Sequence, residues 1–452
     1  MNTDLYLAFL NNYIKYDTKS NTNKDRIFFL WDFNQQLKKG DIPNNVTQLK
    51  FGYFFNQPLK EDIIPKSVTY IIFGSNFNQF LKEGDIPKSV THLRFGYNFN
   101  QPLKEGSIPN SVTHLSFGSE FNQLLKKDDI PNSVIYLSFG RIFNQSLKQG
   151  DIPDSVTHLT FGYDFNQALK KGDIPDSVTH LILGSEFNQS LKKDDIPKSV
   201  THLTFGPEFN QFLKEGDIPD SVTHLEFGYD FNQPLKKGAI PDSVTHLRFG
   251  YYFNQPLKKG AIPNNVMHLI FGENFNKPLK IGDLPDNVTH LEFGDRFNQS
   301  LNEGVIPNNV THLIFGEKFN QCINEGVIPD SVTHLEFGYY FHQELNYYIF
   351  NNLIELIISN HYIISNLKLN KDILIGYRDE NTKYIIYNKF NLIICNYTKK
   401  LFNNYISQID FNKLKGKIIM KELVEKVFHP NRLLNICNKY NIDFIDLIDI
   451  YS

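Results

Sequence analysis

Apolar residues return along this chain on a fixed beat. In residues 86–107 they are Ile86, Val90, Leu93, Phe95, Phe99 and Leu103, and the same set recurs 22 residues later. Leu93 and Phe95 stand two apart, so a short strand is predicted over Thr91 to Gly96, with Leu93 and Phe95 facing one side and His92 and Arg94 the other. Gly96 follows at once and suits a bulge or a positive φ where the chain leaves the strand. Phe99 and Leu103 return inward, Gly106 permits a turn, and Pro109 holds Ile108 extended ahead of the next strand. No segment has room for a helix of three turns, so the returning side is expected to be extended or a single turn.

A Phe-Asn pair marks the beat from Phe33-Asn34 to Phe319-Asn320, and the next step lands on Phe341-His342. A period this strict predicts a solenoid in which each 22-residue stretch is one coil stacked on the last. A lone coil buries too little apolar surface to offset the entropy of ordering it. Stacking shares the buried faces and satisfies the strand backbone in a parallel ladder, with coils about 4.8 Å apart. The expected fold class is a mainly β solenoid with a small α+β cap at the C-terminal end.

The Val-x-x-Leu-x-Phe arrangement resembles the start of a leucine-rich repeat, and the Ile-Pro before it resembles the Leu-Pro of the short bacterial type. Residues 152–169 (Ile-Pro-Asp-Ser-Val-Thr-His-Leu-Thr-Phe-Gly-Tyr-Asp-Phe-Asn-Gln-Ala-Leu) come closer to another pattern. They resemble the FNIP repeat, a family of social amoebae and of giant DNA viruses that infect amoebae. The resemblance covers residues 25 to 345 and implies a leucine-rich-repeat-like interaction module. It departs from ordinary leucine-rich repeats in one respect: Asn100 comes five residues after Phe95, where theirs comes three after the last strand Leu. The resemblance therefore carries the horseshoe idea but not the turn. A ladder through Asn100, Asn122 and Asn144 is expected to bond the backbone of adjacent coils.

The expected organisation is an N-terminal cap over 1–24, a solenoid of about 14 coils over 25–345, and a degenerate capping coil with an α+β region over 346–452. Residues 1–16 are predicted as a short helix with Leu10, Tyr13 and Ile14 on one face. Beyond Phe341, Ile354, Ile357, Ile363 and Leu367 keep the repeat spacing of a capping coil. The alternative is a helix using Leu345, Ile349, Leu353 and Leu356. Residues 371–398 suggest a hairpin around Asp379-Glu380-Asn381, and the pattern from 417 is helical. Some members of the family carry an F-box that recruits a ubiquitin ligase. No Leu-Pro start is visible in the residues ahead of the array, and none is expected there.

Charge narrows the function. With 46 basic and 49 acidic residues the net charge is −3, which disfavours nucleic-acid binding. Cys322, Cys395 and Cys437 are few and far apart, as free thiols of an intracellular protein are. The N-terminus has no basic start, and no run of 18 apolar residues predicts a membrane span.

Comparing coils with one another separates framework columns from free ones. His92, His114, His158, His180, His202 and His224 precede the strand Leu and are read as a stacked structural ladder. Two neighbouring imidazoles lack the further ligands and closed geometry that zinc wants, so no metal site and no cofactor are expected. A Lys column (Lys38, Lys60, Lys82 and on to Lys280) suggests a polyanion groove, but Asp41, Asp85, Asp151, Asp173 and Asp217 three residues later make it read as a mixed, solvated edge. The position after the strand Leu varies most: Lys50, Ile72, Arg94, Ser116, Ser138, Thr160, Ile182, Thr204, Glu226, Arg248, Ile270, Glu292, Ile314 and Glu336. The position after the following Gly holds Tyr53, Tyr97, Tyr163, Tyr229, Tyr251 and Tyr339. Aromatics and Arg on a concave sheet are what protein-recognition surfaces enrich. The candidate partner-binding residues are Arg94, Tyr97, Tyr163, Glu226, Tyr229, Arg248, Tyr251, Glu292, Glu336 and Tyr339. No catalytic constellation is recognisable. The expected function is a non-enzymatic scaffold that binds a protein; the alternative is an adaptor that delivers bound proteins to ubiquitin ligation.

Overall fold

The computed structural model describes residues 14–16, 25–345, 352–358, 374–379, 382–387 and 392–395. The chain divides into two compact units, residues 1–253 and 254–452. In the first, β1 (Ile14–Tyr16) and β2 (Arg26–Phe29) precede β3 (Gln48–Lys50), and a three-residue strand then recurs at each 22-residue step to β12 (His246–Arg248). From β2 onward neighbours are parallel and in register, with Leu49 opposite Ile71, Leu93 opposite Leu115 and Leu225 opposite Leu247. β1 is an exception, since it runs antiparallel to β2 with Ile14 opposite Phe29. The helix expected over 1–16 therefore does not extend to residues 14–16, where an extended segment covers the exposed edge of β2. The rest of that expected helix lies outside the described residues.

In the second unit the same ladder runs from β13 (His268–Ile270) to β16 (His334–Glu336), and then changes. β17 (Glu355–Ile358) pairs with β16 in parallel, placing Leu356 opposite Leu335. That step is one residue short of the period. Leu353, Leu356 and Ile358 therefore take the inward places that Val332, Leu335 and Phe337 hold one coil earlier, and Ile354 is 57% exposed. The spacing that put Ile354 in a core column is thus corrected by one residue; the alternative helix does not reach Leu353 and Leu356, since Leu356 lies in β17 and Leu353 just ahead of it, and Ile349 lies outside the described residues. β18 (Leu374–Asp379) continues in parallel and turns back antiparallel into β19 (Thr382–Tyr387), which pairs with β20 (Leu392–Cys395). Asp379 stands opposite Thr382, so β18 and β19 pair as the hairpin expected within 371–398. Ile363, Leu367 and the helices expected from 417 lie outside the described residues.

Each coil closes through three hydrogen-bonded turns. In the coil around β5 (His92–Arg94) the amides of Asp85, Val90 and Phe99 donate to the carbonyls of Lys82, Pro87 and Gly96 at 3.2, 3.1 and 3.3 Å. Between them Val90, Leu93, Phe95, Phe99, Leu103 and Ile108 are buried, Phe99 completely. Framework polar residues bond from coil to coil. The Asn100 amide donates to Asn78 Oδ1 at 2.9 Å, and Gln101 Nε2 donates to the Asn78 carbonyl and Oδ1. Asn100, Asn122 and Asn144 each accept the amide of the Asn 22 residues on at 3.0 Å. Ser89 Oγ donates to the Val68 carbonyl at 2.6 Å. Bonds of this kind are worth about 1 kcal/mol each and fix the register of every coil.

Two expectations about turns are corrected. Gly96 has no positive φ; the column that does contains Gly84, Gly106 and Gly150 at 90°, 78° and 90°, with Asp62, Asp128 and Asp194 in the same place at 64–71°. Asp tolerates this region because its short polar chain bonds locally. Gly96 is required by close approach instead, because a Cβ there would overlap the backbone carbonyl of Gly74. The Asp column of the Lys–Asp edge is also not solvated, although exposed Glu61, Glu83, Glu105 and Glu215 keep that edge mixed in charge. Asp85 is buried, and its Oδ2 accepts the Lys82 amide at 2.8 Å, as Asp129, Asp151 and Asp173 do for Lys126, Lys148 and Lys170. The acid braces its own turn and leaves the lysines to solvent.

Candidate interaction surface

The strand spacing is not uniform across a coil. Successive rings of the His column are 4.2 Å apart (His158–His180, His180–His202), those of the Phe after the strand 5.6 Å (Phe95–Phe117), and those deeper in the coil 6.1–6.2 Å (Phe99–Phe121, Phe121–Phe143). The second unit repeats this, at 4.2, 5.6 and 6.0 Å. Equivalent points are displaced further the farther they lie from a centre of curvature. Each unit therefore bends toward its strand face, and the residues flanking the strand Leu line the concave side.

On that side lies an uninterrupted stack of rings. His92, His114, Tyr136, His158, His180, His202 and His224 follow one another at 4.1–4.4 Å with planes within 28°. The Thr before His92, His114, His180, His202 and His224 fixes the tautomer of the ring. Thr91 Oγ1 spends its single proton on the Thr69 carbonyl at 3.2 Å, so at its 2.9 Å contact with His92 Nδ1 the hydroxyl oxygen accepts from the ring N–H. Parallel rings held this way keep their nitrogen lone pairs parallel too, so they do not converge on one ion. Among the described residues no group of His, Cys, Asp and Glu is placed to hold a metal.

Burial, and secondly the charge of neighbouring rings, hold His114, His158, His202 and His312 below the ordinary 6.5. Desolvation is the larger of the two causes. Above pH 6.5 these rings are neutral both folded and unfolded. As pH falls from 6.5 through the lower folded values, the unfolded chain binds protons first, so stability is lost in that window. Asp85, Asp129, Asp173 and Asp195 act oppositely: burial raises their carboxyls above 3.8 despite the amide bonds that lower them, and they recover stability only as pH falls toward that value. The melting temperature is therefore expected to drop between pH 7.5 and 5.5. Replacing His114, His158 and His202 by Gln, the residue at position 48 of the same column, is expected to flatten that drop. Equal melting at the two pH values would count against this account.

The variable columns flank the stack, but the ten candidate residues do not form one site. Arg94 and Tyr97 line a groove in the first unit. Glu226 and Arg248 on adjacent strands satisfy each other at 3.5 Å. Tyr229 stacks on Tyr251 at 4.6 Å, with Tyr252 edge-on to both at 5.0 Å. Tyr163 lies under the Arg141 guanidinium at 5.2 Å. In the second unit Glu292 stands between Ile270 and Ile314, Glu336 stands between Ile314 and Ile357, and Tyr339 meets Tyr340 edge-on. There the position after Gly carries Glu273, Asp295 and Glu317, whose carboxylates accept the amide 22 residues on at 3.0–3.4 Å.

The groove has a volume of about 610 Å³ and spans six coils, with a floor that includes Gly52, Gly74, Gly96 and Gly118. Its walls include Trp31, Lys50, Tyr53, Ile72, Arg94 and Tyr97. Trp31 stacks on Tyr53 at 4.2 Å, and Phe54 closes edge-on against both. Trp31 is not among the candidates that the variable columns offer. The signal was there: it is the only Trp of the chain and occupies the column of Tyr53 and Tyr97, one period upstream.

A family model described as "FNIP Repeat" matches residues 33–76, 77–120 and onward in largely overlapping windows to 319–361. The chain belongs to the FNIP repeat family. Among solved structures, this FNIP-repeat chain is similar to the one titled "The crystal structure of CroV588 a novel circular LRR protein structure". The identity is 39%, the TM-score is 0.57, and the match covers 72% of this chain and 58% of that one. The chain thus matches somewhat more than half the length of that relative. No curated protein matches it. The leucine-rich-repeat-like solenoid expected from the period is what the fold and this neighbour share. No helix among the described residues is long and apolar enough to cross a membrane.

Proposed function

We propose that this FNIP-repeat chain is a non-enzymatic intracellular scaffold that binds a protein partner on the concave strand faces. The observation that carries the reading is a division of labour between columns. The Phe, Leu, Val, Asn, Gln and Ser columns are consumed by the core and the coil-to-coil bonds, whereas the columns that vary present exposed Tyr, Arg and Glu on the strand side. Repeat solenoids use such extended concave surfaces for docking, and aromatic and Arg side chains dominate the energetics of protein interfaces. The likeness to a leucine-rich-repeat protein supports the same reading.

Proximity labelling with the full chain fused to a biotin ligase tests it. Replacing Arg94, Glu226, Arg248, Glu292 and Glu336 by Ser is expected to remove the prominent labelled proteins. Replacing Lys82, Lys104, Lys148 and Lys170 of the turn column by Ser is expected to keep them. The reverse outcome, with circular dichroism showing both variants folded, would place recognition on the turn side and end the proposal.

A further inference from the structure

Of the exposed features, the groove of the first unit is the one whose chemistry defines an occupant. Lys50 and Arg94 both line it and are exposed, and none of its lining residues is acidic. Among the described residues neither forms an ion pair, in contrast to Arg248, which Glu226 holds. In the first unit Glu226 pairs with Arg248, and in the second Glu273, Asp295 and Glu317 accept backbone amides. The groove is therefore a local positive site in a chain of net charge −3.

Its dimensions fit an extended chain. The strands bearing Lys50 and Arg94 are separated by one other strand, so the two positions lie roughly 10 Å apart, a span covered by three residues of extended peptide. Ile72 sits between them on the intervening strand. Upstream, the Trp31–Tyr53–Phe54 cluster forms a rigid aromatic wall, and Tyr97 stands downstream, half exposed. The six coils together accommodate roughly eight extended residues.

We propose that this groove binds an extended acidic peptide segment of the partner, its carboxylates meeting Lys50 and Arg94 and its apolar side chains packing on Trp31, Tyr53, Ile72 and Tyr97. The assignment rests on the scaffold reading above. A nucleic-acid strand is the competing anion. Two cations neutralise few phosphates, and little of the salt-dependent attraction that drives nucleic-acid binding is available here. A peptide needs only a pair of charge contacts to set its register, and draws its remaining affinity from aromatic burial.

The test is a selection of a random twelve-residue peptide library, displayed on phage, against the full chain. Enrichment of sequences carrying two or more carboxylates together with aromatic or aliphatic residues is expected. A synthetic peptide of the leading sequence should bind the double variant Lys50→Glu/Arg94→Glu at least about tenfold more weakly, through loss and reversal of two charge contacts. It should bind Lys104→Glu/Lys148→Glu, which carries the same charge change on the turn side, as well as the unaltered protein. No enrichment of acidic sequences, equal binding to the groove variant, or displacement of the peptide by a twelve-nucleotide oligo-dT at lower concentration would each overturn the assignment. If selection fails while proximity labelling still depends on the strand-face residues, the groove assignment alone falls; if both fail, the scaffold reading falls with it.

Discussion

Gly162→Ala is expected to destabilise the first unit by about 3 kcal/mol or more, as overpacking against rigid neighbours does. A Cβ at Gly162 would overlap the carbonyl oxygen and carbon of Gly140. Neither backbone can give way locally. The Phe161 amide is bonded to the Ile182 carbonyl at 2.9 Å, and the Gly162 carbonyl accepts from Phe165 at 3.4 Å. The column lies beside the strands, on the side where coils crowd closest, so any relief must open the ladder. Gly150→Ala is the built-in comparison. Gly150 has φ of 90°, but a Cβ there meets only the flexible Lys127 side chain. Backbone strain alone, about 1–2 kcal/mol, is expected. Urea denaturation followed by circular dichroism ranks the two, with hydrogen exchange of the Phe139 and Phe161 amides reporting where the ladder opens. If Gly162→Ala unfolds at the urea concentration of the unaltered protein, the close approach of successive coils is wrong.

Phe165→Ala is expected to cost about 3–5 kcal/mol, the range for deleting a fully buried aromatic ring. Phe165 has no exposed surface. Its ring lies 3.9 Å from Phe161 within the coil and 6.2 Å from Phe143 and Phe187 in the coils on either side. Its loss hollows two interfaces at once, and in a stack where each coil touches only its neighbours there is no third contact to compensate. Tyr163→Ala, two residues earlier, removes a half-exposed ring whose partner is Arg141, a contact worth about 0.5–1 kcal/mol at an exposed site. Equal losses for the two variants in the same urea experiment would contradict the assignment of Phe165 to the core and Tyr163 to the surface.

Much of the coil was legible in the chain because its period is strict. Leu93 and Phe95 were placed inward from their spacing alone, and the hairpin of β18 and β19 was visible as a polar break between alternating apolar residues. The misreadings share a cause. A glycine column is equally compatible with a left-handed turn and with a close backbone approach, and only the neighbouring coil shows which Gly96 serves. Asp85 reads as surface charge until its carboxylate is seen folded onto the Lys82 amide. Ile354 was assigned inward by counting, but a one-residue shortening of the coil shifted Leu353 into that place, and no periodic argument can detect where a period ends. For the candidate surface, the variable columns were visible as columns. That Lys50, Arg94 and Trp31 share one groove while Arg248 is neutralised by Glu226 was not.

By itself, then, the sequence determined the coil, its length, its inward residues and the parallel stacking, because repeated local patterns leave one arrangement in which every coil buries its apolar side. The tertiary structure alone decided how unequally the coils spread from the strand side to the core, the shared groove of Trp31, Lys50 and Arg94, and which charges are paired. Those depend on distances between residues 22 or 44 positions apart, which periodicity makes equivalent but which packing makes unequal: 4.2 Å on one side of a coil and 6.2 Å within it.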